Sequence, residues 1–496
     1  MSDPTRGQIE AIVTLPTYDV EYNTGGGWVA LSQSYVIDVD GANEERAGGE
    51  NGITFGADAA ASVTIRLDPL ASSIAWDGTL VRVRYGFGAS NKLIRFAGVI
   101  VRRSRRDDAE LTWECEGWQE LIKRTPMFSP LFYRRPAATR TTASSTEDPT
   151  NGAYVGGLVN YIFWQAGGRP LEQSGTYPSA TFYYSCDYAP ITPEWTWIAG
   201  ENAWEELGRL AKACGMLIFQ GADGVMYAKS ALSLGGSSGG YTFTSAAFET
   251  IEEDTSRREK VAAVRCRYVV RRLQGEQVVY EDKEPRFIAA GASLTVTLEF
   301  QQPVYTVVLS AGALPASSYT ATTLTAQPAT VSNTVSSTAA GRIVIVFTNS
   351  GSAPAVLSSI TIVGRPIAPA EEGIATVGSG TPEREIGDDT GVYVQSLAHA
   401  QRLAKLVLDF FGSALAKRTL TGCGYDPDRA IGEIVGLTYA PWSLSAAAHR
   451  IASIRHKNTG ATMDVVLVPV AGLPTIAGVF VTGTTYAGAD TRELSY

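Results

Sequence analysis

The chain has 496 residues, of which 45% are hydrophobic and 18% are charged, and its net charge at pH 7 is −9. This hydrophobic content excludes a wholly disordered chain, and the length predicts about three or four domains. The acidic balance argues against nucleic-acid binding as the main function, because contacts with phosphates need a basic surface. The 50 glycines favour many short strands joined by tight turns.

The cysteines are far apart in the sequence and include no CxxC pair. They are Cys115, Cys186, Cys214, Cys266 and Cys423. Their spacing predicts neither a disulfide framework nor a zinc site. No apolar segment follows the first residues, and no run approaches the length of a membrane span. We therefore expect a protein made in a reducing cytoplasm, with no signal peptide and no membrane anchor.

Residues 1–120 are predicted to form a small β-barrel or sandwich. The segments Ser62–Leu67 and Leu80–Tyr85 alternate between apolar and polar residues, as half-buried strands do. Phe96–Val101 is an apolar run typical of a strand buried on both faces, and Leu111–Cys115 alternates again. Several short strands at this spacing indicate one compact β domain.

Residues 121–240 mix helix and strand and are predicted to form an α+β domain. The clearest helix runs from Asn202 to Cys214, with Asn202 as its N-cap and Glu205 at the capping-box position. Gly215 follows where a left-handed residue commonly ends a helix. The segment 216–227 then has the pattern of a strand, a turn and a second strand.

Residues 241–285 and 367–474 are predicted to form a second β-barrel, which includes a long helix from Ser396 to Phe411. Residues 286–366 carry few charges and several strand-like runs, so we expect an inserted β-sandwich. Residues 475–496 are expected to be a peripheral C-terminal tail. The predicted fold is thus mainly β with an α+β segment: two similar small β-barrels, an α+β domain and an inserted β-sandwich.

Few residues suggest catalysis. The three histidines are His399, His449 and His456, and none lies in a metal-binding HExxH pattern. Gly235–Gly239 matches GxSxG, but it lies in a Gly/Ser-rich linker and not on a strand-to-helix turn. Acidic clusters such as Glu252–Asp254 are expected to lie in solvated loops. No catalytic, cofactor-binding or metal-binding residue is assigned.

The densest positive cluster consists of Arg102, Arg103, Arg105 and Arg106. One interpretation is a solvated strand end. The other is a partner-facing or lumen-facing surface, which the symmetry of an oligomer would repeat around a ring and which would face an acidic partner or passing DNA. The sequence leaves both interpretations open.

The order of several motifs resembles the tail-hub family of tailed bacteriophages, which is related to contractile-tail baseplate hubs and type VI secretion spike hubs. The segments that carry the resemblance are Trp76–Tyr85, Arg95–Val99, Trp118–Ile122, Ala203–Tyr227 and Ala404–Val468. Together they span most of the chain, although each motif is degenerate.

The resemblance implies a homotrimer with no enzymatic activity and no cofactor. Two similar barrels per subunit would form a pseudo-sixfold ring that connects the tail tube, or distal tail ring, to the tip or fibres. The ring would form part of the channel for the tape-measure protein and for DNA, at the tail tip of a virion assembled after synthesis in the host cytoplasm. Two alternatives stay open: a carbohydrate-binding or adhesin-like β-protein, and a cell-wall or polysaccharide glycoside hydrolase, which would need two carboxylates across a cleft.

Overall fold

The computed structural model confirms a mainly β chain with a smaller α+β part. The described residues are 17–44, 61–87, 91–106, 110–133, 155–171, 181–186, 191, 193–200, 202–221, 223–230, 240–255, 261–325, 327–381, 383–387, 390, 392–411, 416–424, 426, 429, 433–457, 462–469, 481–482 and 485–486.

The first strands of the chain form one half of the largest sheet. They are β1 (Thr17–Asn23), β2 (Val29–Ala30), β3 (Val36–Glu44), β4 (Ser62–Leu67), β5 (Leu80–Phe87), β6 (Asn91–Arg106) and β7 (Glu110–Gly117). Alternate residues of β7, including Trp113, are buried in one apolar core, as the alternating sequence predicts. Gly98 in β6 permits a close approach of the strands, because a Cβ there would lie 2.0 Å from the carbonyl oxygen of Glu116.

Helices and short strands follow. They are α1 (Gln119–Arg124), β8 (Phe132–Tyr133), α2 (Val155–Gln165), β9 (Gly168–Pro170), β10 (Phe182–Cys186), β11 (Trp195–Thr196), α3 (Ala203–Cys214), β12 (Met216–Gln220) and β13 (Met226–Ser230). The predicted helix is confirmed at both ends. Asn202 accepts hydrogen bonds from the N–H groups of Trp204 and Glu205, and Gly215 has a φ of 63°.

The middle of the chain forms two further sheets. Their strands are β14 (Thr242–Phe243), β15 (Thr250–Thr255), β16 (Ala263–Leu273), β17 (Gln277–Asp282), β18 (Arg286–Ile288), β19 (Ser293–Glu299), β20 (Val304–Val307), β21 (Tyr319–Thr323), β22 (Val331–Ala339), β23 (Arg342–Asn349), β24 (Ala355–Gly378) and β25 (Glu383–Ile386). A three-stranded sheet, β19-β23-β22, shares a core with the first half of β24 and the strands paired to it.

Strand β24 has 24 residues and joins two structural regions. Its first half packs in the sandwich core, and its second half pairs with β16. Strands β16 and β17, which the sequence analysis grouped with the second barrel, therefore pair with β24 and not with barrel strands. Long-range pairing with β24 satisfies their backbone groups, and their alternating pattern alone could not identify the partner.

The remaining elements are α4 (Leu397–Phe411), β26 (Ala416–Gly424), β27 (Ile434–Tyr439), β28 (Leu444–Lys457), β29 (Thr462–Pro469), β30 (Val481–Thr482) and β31 (Thr485–Tyr486). The buried residues Ala400 and Leu403 of α4 share one core with Leu207 and Leu210 of α3. The apolar face of α4 is therefore part of the α+β core. Apart from β30 and β31, the predicted C-terminal tail lies outside the described residues, as does Gly235–Gly239.

Two sets of six strands have the same order. We call β1, β3, β4, β5, β6 and β7 the N-terminal set, and β14, β15, β26, β27, β28 and β29 the C-terminal set. Numbered along the chain within each set, the strands lie side by side in the order second, third, sixth, fifth, fourth, first. Every neighbouring pair is antiparallel in both sets except β14 and β27, which are parallel.

Candidate assembly interface

The two sets are joined edge to edge into one 13-stranded sheet. Strand β3 pairs with β28 in antiparallel fashion, with Glu44 opposite Ile454 and Asn43 opposite Arg455. The last β28 residue paired with β27 is Arg450, so the following part of β28 has an edge that β3 occupies. The junction thus joins the second strand of the N-terminal set to the fifth strand of the C-terminal set.

The hairpins β6–β7 and β28–β29 also have equivalent registers. Each has an irregularity in its pairing directly after an isoleucine, Ile100 in β6 and Ile451 in β28. The N–H of Ile100 donates to the carbonyl of Thr79 at 3.1 Å, and the N–H of Ile451 donates to the carbonyl of Glu433 at 2.9 Å. Position by position, Ile100–Arg106 therefore corresponds to Ile451–Lys457.

The four arginines singled out by the sequence lie together at the end of β6, and we call Arg102, Arg103, Arg105 and Arg106 the arginine strip. The last pair between β5 and β6 joins Leu80 to Val99, so the strip is paired with β7 alone. Among the described residues no strand covers its other edge. This is the edge that β3 occupies in the equivalent hairpin of the C-terminal set.

The arginine strip is largely exposed. The Arg102 side chain is 68% exposed and forms an ion pair with Glu114 at 3.3 Å. Arg103 donates through Nη2 to the carbonyl of Ser72 at 3.0 Å, and Arg105 and Arg106 are exposed. Exposed ion pairs contribute little to stability, so the strip is not explained by the needs of the subunit fold.

The cluster Glu252, Glu253 and Asp254, which we call the acidic edge, lies in strand β15. The sequence analysis expected a solvated loop, and that expectation is wrong. These residues pair in register with the basic strand β26, which satisfies their backbone groups on one side. All three are exposed, and β15 is the end strand of the 13-stranded sheet. The sequence gave no local signal for this edge beyond its Thr-Ile-Glu-Glu-Asp-Thr pattern.

One residue of the acidic edge belongs to a polar chain that extends into the sheet. Glu253 accepts from Arg418 at 2.7 Å, and Arg418 also donates to Nε2 of His449. His449 Nδ1 donates to the carbonyl of Ala447 at 2.7 Å, so its ring is neutral. Burial, reinforced by the Arg418 charge, lowers the pKa of His449 to about 4.

The other predicted candidates do not form a catalytic arrangement in the described part of the chain. His399 is buried, and its Nε2 donates to the carbonyl of Ala213 at 2.8 Å, which confirms a packing role. The side chain of His456 lies outside the described residues. Across the described ranges, no group of three or more His, Cys, Asp and Glu residues could hold a metal ion. None of the helices described there is long and apolar enough to cross a membrane.

A cleft of about 510 Å³ lies where the sandwich meets the α+β region. The rings of Trp195 and Tyr305 line it edge to face at 5.8 Å. Arg271 also lines it, with its guanidinium 5.2 Å from the Trp197 ring, and burial lowers the pKa of that guanidinium. Glu194 is the one carboxylate among the lining residues, whereas glycoside hydrolysis uses a pair.

No protein-family model and no curated protein matches this sequence. Among solved structures, the chain is similar to the 43 kDa tail protein of prophage MuSo2 from Shewanella oneidensis. The identity is 11% and the TM-score 0.45, over 92% of this chain and 99% of that one. It is also similar to the prophage tail protein gp18 from Listeria monocytogenes, with 8% identity and a TM-score of 0.41 over 91% and 94%.

A third similar structure is an E. coli component of the type VI secretion system, described as structurally similar to the bacteriophage T4 tail proteins gp27 and gp5. It has 8% identity and a TM-score of 0.34, over 92% of this chain and 73% of that one. The three similar structures thus comprise two prophage tail proteins and a type VI secretion component, which are the classes of protein that the sequence resembles.

Proposed function

We propose that this chain is a structural tail-hub protein of a long-tailed bacteriophage, and that three copies close a ring with pseudo-sixfold symmetry. The observation that carries the proposal is the shared strand order of the N-terminal and C-terminal sets. Two alike units per subunit, taken three times, give six similar units around one axis. The edge-to-edge junction between β3 and β28 supplies a pattern that a ring could repeat.

Such a ring would match a sixfold tail tube or distal tail ring on one side and present threefold symmetry to tip or fibre proteins on the other. Its lumen would form part of the channel for the tape-measure protein and for DNA. The protein would act at the tail tip of the virion after synthesis in the host cytoplasm. The role is structural, with no catalysis and no cofactor.

The arginine strip is proposed as a partner-facing or lumen-facing surface. Its exposure and its position on an open strand edge support this assignment over a packing role. Three copies would bring twelve positive charges around one axis, in a chain whose net charge is −9.

Native mass spectrometry and negative-stain microscopy of the purified protein test the proposal. The expected results are a mass three times that of the chain and a six-lobed ring. Mixing with purified tail-tube subunits should then give a complex that sediments faster than either component. A stable monomer that does not bind the tube subunits contradicts the proposal.

A further inference from the structure

We infer that the acidic edge of one subunit pairs, as an antiparallel strand, with the arginine strip of the next subunit. The inference rests on the proposed ring and identifies the strands that would close it. The partner is a second copy of this chain.

The junction within the chain supplies the pattern. There, the second strand of the N-terminal set pairs with the fifth strand of the C-terminal set. In a ring of six similar units, the next junction joins the second strand of the C-terminal set to the fifth strand of the N-terminal set. Those strands are β15 and β6, and they must come from different subunits. In the described part of the chain, both have an edge without a strand partner.

The equivalent registers specify which residues meet. On the hairpin side, Ile454 and Arg455 correspond to Arg103 and Ser104, because both hairpins share the irregularity after the isoleucine. On the other side, Asn43 lies opposite Ser62, three residues before Ile65.

Ile65 corresponds to Leu420, since these residues lie opposite Trp113 and Val465, the register partners of Arg103 and Ile454. Lys417, three residues before Leu420, lies opposite Asp254. Asn43 therefore corresponds to Asp254, and the junction places Ser104 opposite Asp254.

Continuing this antiparallel register brings opposite charges together. Arg105 comes opposite Glu253, and Arg106 comes opposite Glu252. Side chains directly opposite on neighbouring antiparallel strands lie on the same face, so each pair can interact. The exposed edge of a strand is a template for pairing, and complementary charge selects which strand adds to it.

Engineered cysteines test the register. Directly opposite residues have Cβ atoms about 4.5–5.5 Å apart, near the range that a disulfide needs, whereas diagonal neighbours are about 7–8 Å apart. The variant S104C with D254C should oxidise to a covalent trimer on a non-reducing gel, at least about tenfold faster than the diagonal control S104C with E252C. Each single substitution should give no covalent trimer.

The outcomes separate this inference from the proposed ring. A trimer by native mass spectrometry in which the matched pair cross-links no faster than the diagonal pair overturns the strand pairing and leaves the ring standing. A monomer overturns both. Cross-linking of the matched pair only when a tail-tube protein is added, and only to that protein, also overturns the inference.

Charge exchange gives a second, independent readout. Both R106E alone and E252R alone should shift the trimer towards monomer by about tenfold or more, because each places like charges opposite one another. The variant carrying both substitutions should recover the wild-type trimer. Failure of the double variant to recover, with both single variants folded, overturns the pairing of these two residues.

Discussion

The backbone N–H of Trp118 donates to Oε1 of Gln220 at 2.8 Å, although the two residues belong to different sheets. The other end of the same amide donates through Nε2 to the carbonyl of Ala97 at 2.6 Å. Gln220 is buried, and a Cβ at Gly117 would lie 2.3 Å from its Oε1, so the amide is tightly enclosed. One side chain of β12 thus ties the α+β region to the N-terminal set.

We expect Q220A to lower the free energy of unfolding by about 3 kcal/mol, because it leaves a buried donor and a buried acceptor without partners. The midpoint of urea unfolding measures this effect. The exposed Gln301 is the matched control, and Q301A should change stability by less than about 0.5 kcal/mol. Equal midpoints for the two variants would contradict the bridging role.

Local features of the sequence predicted the helices well. The helix α3 begins after a capping asparagine and ends at a left-handed glycine, and both signals are local. The second half of β24 was not predicted, because Pro366, Pro369 and Gly373 mark turns in most contexts. Here the pairing of β16 with β24 shifts register between Val270 and Arg271, opposite Pro369 and Glu371, which accommodates the proline in the strand.

The junction between β3 and β28 could not be predicted from sequence patterns. It consists of two residue pairs from opposite ends of the chain, and no periodicity specifies such a contact. The correspondence of Ile100–Arg106 with Ile451–Lys457 is equally hidden, since the two segments are identical only at their first residue. Equivalent backbone pairing preserves the register while the side chains differ.

The sandwich should be removable without loss of the ring. Leu273 of β16 lies opposite Ile367 of β24, and the N–H of Gln274 donates to the carbonyl of Pro366 at 2.9 Å. Replacing residues 274–366 with Asn-Gly would close a two-residue hairpin at this point. Native mass spectrometry should still give a trimer.

A shorter deletion, of residues 286–366, is the comparison for this experiment. It removes the partner of β17, which pairs with residues 360–364, and leaves an unpaired strand edge. This variant should unfold at a lower temperature than the hairpin variant. A hairpin variant that is folded but monomeric would show that the sandwich belongs to the subunit interface.

Stability should fall in mild acid through His449. Its pKa is lowered to about 4 in the folded chain, against an ordinary value near 6.5. Between these values the unfolded chain binds the proton and the folded chain does not. The contribution is therefore complete above about pH 6.5 and is lost as the pH falls towards 4, by up to about 3 kcal/mol. Urea midpoints measured from pH 7 to pH 4 should fall less steeply in H449Q, and an unchanged slope would contradict this assignment.

The arginine strip should control assembly more than it controls the subunit fold. Replacing Arg102, Arg103, Arg105 and Arg106 together with glutamine removes one exposed ion pair and the hydrogen bond from Arg103 to the carbonyl of Ser72. We expect a loss of about 1–2 kcal/mol in unfolding free energy, because both contacts are at least partly exposed to solvent. The trimer, in contrast, should dissociate at protein concentrations where the wild type stays assembled.

Salt dependence distinguishes the two positions proposed for the strip. If the arginines face the acidic edge of a neighbouring subunit, raising the salt concentration should weaken the wild-type trimer more than the glutamine variant, since the Debye length falls from about 8 Å at physiological salt to about 3 Å at 1 M. Sedimentation at several salt concentrations measures this difference. A variant that keeps the wild-type trimer and its salt dependence, but fails to bind tail-tube subunits or to deliver DNA, would place the arginines on the lumen or on the tube-facing rim. A variant that retains all of these properties would leave the solvated strand end as the remaining interpretation, because charges that face only water contribute little to assembly or stability.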